Sequence, residues 1–284
     1  MIAITGANGK LGRLVVKGLL QTIPAGQIVA AVRSPEKADD LSALGVRIRE
    51  ADYDRPETLV EAFKGVEKLL LISAVELGER FRQHRAVIDA ARQAGVKLIA
   101  YTSLLRADTS NLIIADEHNR TEAYLKNTGV DFVVLRNGWY VENHTSGLAA
   151  ALANSAIIGS AGQGRFAAAS RADFADAAVT VLTQPGHANR TYELAGDHPY
   201  SLTELAEEVS KQTGRTIVYH HLSTAEHEAA LLHFGLPKMI VDVVVDADLK
   251  ASAGELNSDS RDLSTLLGRS TTSLADAVEA ALRG

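Results

Sequence analysis

The chain begins MIAITGANGKLG, residues 1–12, and the reading of this stretch decides the fold. Ile2–Thr5 is a short apolar run of strand character. Glycines follow at Gly6, Gly9 and Gly12. Apolar residues then recur at helical spacing at Leu11, Leu14, Val15 and Leu19, so a helix is predicted over Leu11–Thr22. A strand that turns on glycines into a helix opens a βαβ unit. There Gly6 permits a sharp turn, Gly9 leaves room for a pyrophosphate, and Gly12 lets the helix pack close to the sheet. The first N–H groups of the helix then face the phosphates. Gly6, Ala7, Asn8, Gly9, Lys10, Leu11 and Gly12 are therefore the candidate dinucleotide turn. The spacing is G-x-x-G-x-x-G rather than G-x-G-x-x-G, and a purely structural turn is the alternative.

The same rhythm continues outward. Strands are predicted at Ile28–Val32, Val46–Arg49, Lys68–Ser73, Lys97–Ser103 and Asp131–Arg136. Helices are predicted at Pro35–Leu44, with Ser34 as N-cap, and at Pro56–Phe63, Glu79–Gln93 and Asp116–Asn127. "LLLIS" is apolar without alternation, as expected of a strand buried on both faces. Six strands alternating with five helices through short links predict an α/β fold, a Rossmann-like doubly wound parallel sheet over residues 1–136. After Arg136 the rhythm changes. A glycine-rich loop, "GSAGQG", spans 159–164. Helices are predicted at Arg171–Thr183 and Ser201–Thr213, the second with a Ser201/Glu204 capping box, and at about 224–235, 237–250 and 273–282. Strands are predicted at Thr191–Leu194 and Thr216–His221. Residues 137–284 read as a smaller α/β lobe on the substrate side, able to lend strands back to the sheet.

The second strand points to the nucleotide. An acid about 20 residues past the glycines normally holds a ribose 2′-hydroxyl. In "IVAAVRSPEK" no acid stands before Pro35, and Arg33 takes that place. A guanidinium attracts a 2′-phosphate that an acid would repel, which favours NADPH. Asp52, in "EADYD", lies where adenine packs, and it either accepts from the adenine amino group or caps the next turn. Ser73 and Ala74 end the fourth strand, where the backbone passes the nicotinamide ribose.

Bulk composition removes other classes. The 284 residues carry a net charge of −6, with no block of basic residues. Nucleic acid and anionic membranes are thus not expected partners. The absence of cysteine excludes disulfides and thiolate chemistry. No apolar run approaches the roughly 20 residues of a membrane span, and the first strand leaves no room for a signal peptide. A cytoplasmic protein is the expectation. The histidines at His220, His221, His227 and His233 lack the spacing of a ligand set, so no metal is expected.

The segments "VRSPEKA", "ADYD", "GVEKLLLIS", "GVKLIAYTSLLRADTS", "IADEHNRTE", "LRNGWYVEN", "RADFADAA" and "YELAGD" resemble the NmrA-like branch of the atypical short-chain dehydrogenase/reductases. The likeness is nearest to the bacterial type 2 NAD(P)H:quinone oxidoreductases and triphenylmethane reductases, and covers nearly the whole chain. It implies hydride transfer from NADPH to quinones or quinone-like conjugated acceptors, dyes included, by a monomer or homodimer. One departure is the turn after the fourth strand. It reads Ser73-Ala74-Val75 where relatives are serine-rich.

Ordinary members of that superfamily use Tyr-x-x-x-Lys on the helix after the fifth strand. Here Tyr124 is followed four residues on by Thr128. An alcohol/ketone reaction needs a proton delivered to an alkoxide, whereas a reduced quinone takes its proton from water. The missing pair therefore fits quinone or dye reduction. His118 and Glu122, at i and i+4, offer an alternative donor, with the carboxylate raising the imidazole pKa, or else only a surface pair. In "RNGWYVEN", Asn137 can bond the cofactor or fix the turn, and Trp139 and Tyr140 can cover the nicotinamide or stack on the acceptor, or else simply fill the seam between the lobes. Asn143 can hold a quinone carbonyl. A dinucleotide-binding redox sensor without turnover uses the same glycine turn and is the alternative function.

Overall fold

The computed structural model describes residues 1–283. Gly284, the last residue of the expected second lobe, lies outside them. Among the described residues, nine strands run in chain order. They are β1 (Ile2–Thr5), β2 (Ile28–Val32), β3 (Arg47–Glu50), β4 (Lys68–Leu71), β5 (Leu98–Leu104), β6 (Asp131–Asn137), β7 (Ala156–Gly159), β8 (Arg190–Leu194) and β9 (Val218–His221). Seven form one sheet in the order β3-β2-β1-β4-β5-β6-β8. The pairs from β3 through β6 are parallel. The order reverses direction at β1, which lies between β2 and β4. In such a sheet ligands bind beyond the carboxyl ends of the strands at that reversal.

The chain divides into two compact units. The first comprises Met1–Asp108, Asp116–Asn137 and Arg171–Glu193. The helix Arg171–Thr183 belongs here because it packs on the helix Lys10–Leu19, where a Cβ on Gly18 would meet Val179 Cγ2 at 2.8 Å. The core lies between the sheet and its helices, with Phe63, Leu69, Leu71, Ile88 and Tyr101 wholly buried. β8 takes the sheet edge beyond β6.

The second unit comprises Thr109–Ala115, Gly138–Ser170 and Leu194–Gly284. The division therefore falls at Asn137/Gly138 but is not a single cut, because the chain re-enters each unit. β7 and β9 pair as a small parallel sheet of their own. The helix Leu202–Thr213 begins on the expected Ser201/Glu204 capping box, and a second box, Ser223/Glu226, starts the helix Thr224–His233.

Several local expectations differ. Pro35–Leu44 is not one helix. A 3₁₀ turn at Pro35–Lys37 is followed by a short helix at Asp39–Ala43, and Ser34 makes no side-chain cap. The break falls at Ala38 (φ −117°, ψ 20°), beside a Lys37 carbonyl that accepts from Arg13 Nη2 at 3.4 Å. β4 stops at Leu71, which leaves Ser73 and Ala74 in the following loop. The short helices Glu142–Thr145, Leu148–Asn154 and Asp262–Leu267, and β7, lack a periodicity long enough to read in sequence.

Candidate functional site

The glycine turn in the first unit has the geometry its sequence implies. Gly6 stands at φ +58°, a left-handed conformation that favours glycine. The Gly9 N–H donates to the Gly6 carbonyl at 2.8 Å and closes the turn. A Cβ on Gly12 would lie 2.5 Å from the Gly6 oxygen and 2.7 Å from Ala7 Cα, so only glycine lets the helix start there. The first helical bond runs from the Arg13 N–H to the Gly9 carbonyl at 3.0 Å. The N–H groups of Lys10, Leu11 and Gly12 precede it, and the helix start carries neither a side-chain cap nor an acidic residue. Such a terminus suits an anion. Gly6, Gly9 and Lys10 are exposed, whereas the Ala7 and Leu11 side chains are buried. Ala7 and Leu11 therefore have only backbone to offer a ligand.

Sequence reading passed over Arg13. Its Nε donates to the Asn8 carbonyl at 2.9 Å, its Nη2 to Asn8 Oδ1 at 3.0 Å, and its Nη1 pairs with Asp40. Asn8 Nδ2 in turn donates to the Ser34 carbonyl at 3.4 Å. The glycine turn is thereby tied to the loop after β2, which carries Arg33. Arg33 keeps 70% of its side chain exposed, with Glu76 Oε1 at 3.7 Å and the Asp54 carboxylate close enough to feel its charge. A guanidinium at this edge is available to a 2′-phosphate.

Asp52 acts as a turn cap. Its Oδ1 accepts from the Asp54 N–H at 3.0 Å and its Oδ2 from Arg55 Nε at 3.2 Å. Behind it, the buried Tyr53 hydroxyl donates to Thr5 Oγ1 at 2.6 Å. Thr5 Oγ1 accepts the Ile72 N–H at 3.1 Å and donates to the Leu70 carbonyl at 3.2 Å. This bond set fixes the carboxyl ends of β1 and β4.

Ser73 and Ala74 follow directly and are held by their backbone. The Ser73 N–H donates to Thr102 Oγ1 at 2.9 Å and the Ala74 N–H to His84 Nε2 at 2.8 Å. The Ala74 carbonyl accepts from Arg80 Nε at 2.8 Å. Arg80 pairs with Glu117 Oε2 at 3.3 Å, and both are buried. Neither His84 nor Arg80 was singled out in sequence. Both lie on an ordinary helical repeat, and only the fold brings them under the loop.

His118 corrects the expected acid. Its i+4 neighbour Glu122 does not face it. That carboxylate accepts from Ser103 Oγ at 2.6 Å, from Arg136 Nε at 2.9 Å and from Arg136 Nη2 at 2.8 Å. Burial would raise the Glu122 pKa, but these bonds outweigh it and hold the carboxyl below its ordinary value. His118 Nδ1 instead meets the Tyr101 hydroxyl at 2.6 Å. Burial, with the charges of Arg80 and His84, pushes the His118 pKa well down rather than up. The ring is a neutral, buried partner of Tyr101.

Asn137, buried at the end of β6, accepts the Leu105 N–H on its carbonyl at 3.0 Å. Trp139, Tyr140 and Asn143 belong to the second unit. Trp139 and Tyr140 are partly buried and locked to residue 169, the Trp139 carbonyl accepting the Ala169 N–H at 3.1 Å. Asn143 is exposed. No group of three or more His, Asp or Glu side chains placed to hold a metal ion occurs among the described residues. No helix among them is long and apolar enough to cross a membrane.

The glycine turn, the uncapped helix start and the acid-free β2 end fit a phosphorylated dinucleotide. A family model described as NAD(P)H-binding matches residues 6–185. The chain is 52% identical over 278 residues to quinone oxidoreductase 2 of Escherichia coli, covering 98% of this chain and 97% of that protein. The crystal structure of the E. coli NADPH-dependent quinone oxidoreductase complexed with NADPH superposes with a TM-score of 0.96 at 51% identity, over 99% of this chain and 100% of that one. The triphenylmethane reductase of Citrobacter sp. complexed with NADP(H) also superposes with a TM-score of 0.96, at 39% identity, over 99% and 100% of the two chains.

Proposed function

The chain belongs to the NAD(P)H-binding family, and on that premise we propose that it is an NADPH-dependent reductase of quinones and related conjugated acceptors. The observation that carries this reading is the uncapped helix start behind Gly6–Gly12, joined through Asn8 and Arg13 to the loop that presents Arg33. The extended likeness to E. coli quinone oxidoreductase 2 supports the choice of acceptor.

NADPH, when bound, supplies the two electrons and the hydrogen as hydride. The residues of the chain bind and orient. The N–H groups of Lys10 to Gly12 take the pyrophosphate, and Arg33 the 2′-phosphate. Ser73, Ala74 and Asn137 flank the nicotinamide ribose. Trp139 and Tyr140 supply flat walls for conjugated rings, so that catalysis is mainly the alignment of two planar systems. No side chain is asked to act as a strong acid, which agrees with the missing Tyr–Lys pair and the neutral His118. Cationic triphenylmethane dyes extend the acceptor set, since the carbon receiving hydride needs no proton. The protein acts in the cytoplasm as a monomer or homodimer.

The test is the loss of NADPH absorbance with purified protein and a panel of simple quinones and a triphenylmethane dye. Quinone-dependent oxidation is expected. Tight NADPH binding without any consumption would sink the reductase and favour a redox sensor.

A further inference from the structure

The Trp139 indole Nε1–H is buried and has no hydrogen-bond partner among the described residues. Buried donors are seldom left unpaired in native proteins, because an unmade bond costs free energy. The backbone that carries the indole is fixed. Its own carbonyl accepts the Ala169 N–H at 3.1 Å, and the Val141 N–H donates to the Ala169 carbonyl at 3.0 Å.

A second group accompanies it. The His144 ring centroid lies 6.5 Å from that of Trp139, with the planes 43° apart. His144 Nδ1 is 2.8 Å from the Tyr200 hydroxyl oxygen, and Phe166 meets the imidazole edge-on at 4.6 Å. Phe166 and Tyr200 exchange backbone bonds of 2.8 and 3.1 Å, so one short ladder holds the imidazole from two sides. Burial lowers the His144 pKa to about 4 and keeps the ring neutral near pH 7. With Tyr200 O–H donating to Nδ1, the ring proton stands on Nε2. A neutral imidazole of this kind donates a hydrogen bond without delivering a proton.

We propose that Trp139 Nε1–H and His144 Nε2–H are paired donors that hold a carbonyl oxygen of the quinone and stabilise the negative charge it gains on reduction. The proposal rests on the quinone-reductase reading and specifies the acceptor side of that site. The quinone takes up hydride and becomes the hydroquinone monoanion, while NADPH is oxidised to NADP⁺. Water then supplies the proton that completes the hydroquinone. The donors act where charge develops, as in an oxyanion hole. Asn143, expected from sequence to hold the carbonyl, is exposed, whereas His144 beside it is half-buried.

The test compares wild type with Trp139→Phe, His144→Leu and His144→Gln in NADPH oxidation by benzoquinones of graded electron demand. Trp139→Phe keeps the aromatic wall and removes the donor. Its kcat/KM for quinone is expected to fall roughly tenfold to a hundredfold, with the KM for NADPH nearly unchanged. The loss should deepen toward electron-rich quinones, whose carbonyls depend most on polarisation. His144→Gln, which retains an N–H donor, should keep much of the activity that His144→Leu loses. Trp139→Phe and His144→Gln each test the idea alone if another variant does not fold. A uniform loss across the series, or quinone kcat/KM within about twofold of wild type in Trp139→Phe and His144→Leu, overturns the paired-donor role. A wild-type protein that reduces no quinone overturns the functional reading itself, and this inference with it.

Discussion

The backbone N–H of Ala74 donates to Nε2 of His84 at 2.8 Å. That bond puts the ring proton on Nδ1, which donates to Thr121 Oγ1 at 3.0 Å. Thr121 passes the chain on to the Glu117 carbonyl at 2.7 Å. The imidazole thus couples the loop after β4 to the helix Ala115–Lys126. Its replacement in His84→Leu leaves the half-buried Ala74 N–H without that acceptor. We expect a stability loss of about 1–3 kcal/mol and a raised KM for NADPH, because Ser73 and Ala74 lose their anchor. Chemical denaturation and steady-state kinetics read both. An unchanged KM would mean that Arg80 and Thr102 hold the loop unaided.

Stability should fall in mild acid. Burial, with the Arg80 charge, lowers the His84 pKa to about 3, and burial lowers that of His144 to about 4, from 6.5. Between pH 6.5 and 4 the unfolded chain binds protons that the two folded rings do not. Unfolding free energy therefore rises with pH across this window, by up to about 1.4 kcal/mol per unit for each ring. Asp248 opposes them. Burial raises its pKa from 3.8 to about 6, so there the folded state holds the extra proton and stability falls as pH rises. Melting temperature should climb from pH 4 to 6.5 in wild type and more steeply in Asp248→Asn. A flat profile in both would refute the assignment.

Arg136 grips both oxygens of Glu122, and its Nη1 reaches Glu193 Oε1 at 2.7 Å and Asp108 Oδ1 at 2.9 Å. Arg136→Met leaves Glu122 buried with Lys126, at 3.1 Å, as its remaining cation. Removing one partner of a buried pair typically costs about 3–5 kcal/mol. Urea denaturation should show a loss of that order, largely recovered in the double variant Arg136→Met/Glu122→Leu, which removes the stranded charge.

What was legible in the sequence was local. The Gly6–Gly12 turn, the Ser201 capping box and the apolar run of β4 depend on residues within a few positions of one another, and the fold keeps them. The contacts that position the site are long-range. Arg13 with Asp40, His84 with Ala74 and Thr121, and Arg136 with Glu193 join residues on different elements, and no spacing rule reports them. His118 shows the same limit. Its i+4 relation to Glu122 was real in sequence, yet Glu122 is drawn to Ser103 and Arg136, which the sheet supplies.

Arg33 should set the choice between NADPH and NADH. Its exposed guanidinium stands 3.7 Å from Glu76 Oε1, an ion pair that a 2′-phosphate can displace. A charge-assisted bond to a 2′-phosphate contributes about 1.5–3 kcal/mol, or roughly tenfold to a hundredfold in affinity. Arg33→Ala should raise the KM for NADPH by that factor and leave the KM for NADH unchanged. Equal effects on both cofactors would place the 2′-phosphate elsewhere.

Gly12 tests whether the turn is a ligand cradle or only a fold element. A Cβ there would approach the Gly6 oxygen to 2.5 Å and Ala7 Cα to 2.7 Å. Both contacts are backbone, so the helix start must shift, at a cost of about 1–3 kcal/mol. The shift moves the N–H groups of Lys10 and Leu11 away from the pyrophosphate position. Gly12→Ala is therefore expected to lose NADPH affinity well beyond its loss of stability, with the dissociation constant raised roughly tenfold or more. Gly26→Ala, where nothing lies within 4 Å of the added Cβ, is the matched control. If Gly12→Ala loses stability but binds NADPH as wild type does, the turn serves packing alone, and the dinucleotide must be held by other groups.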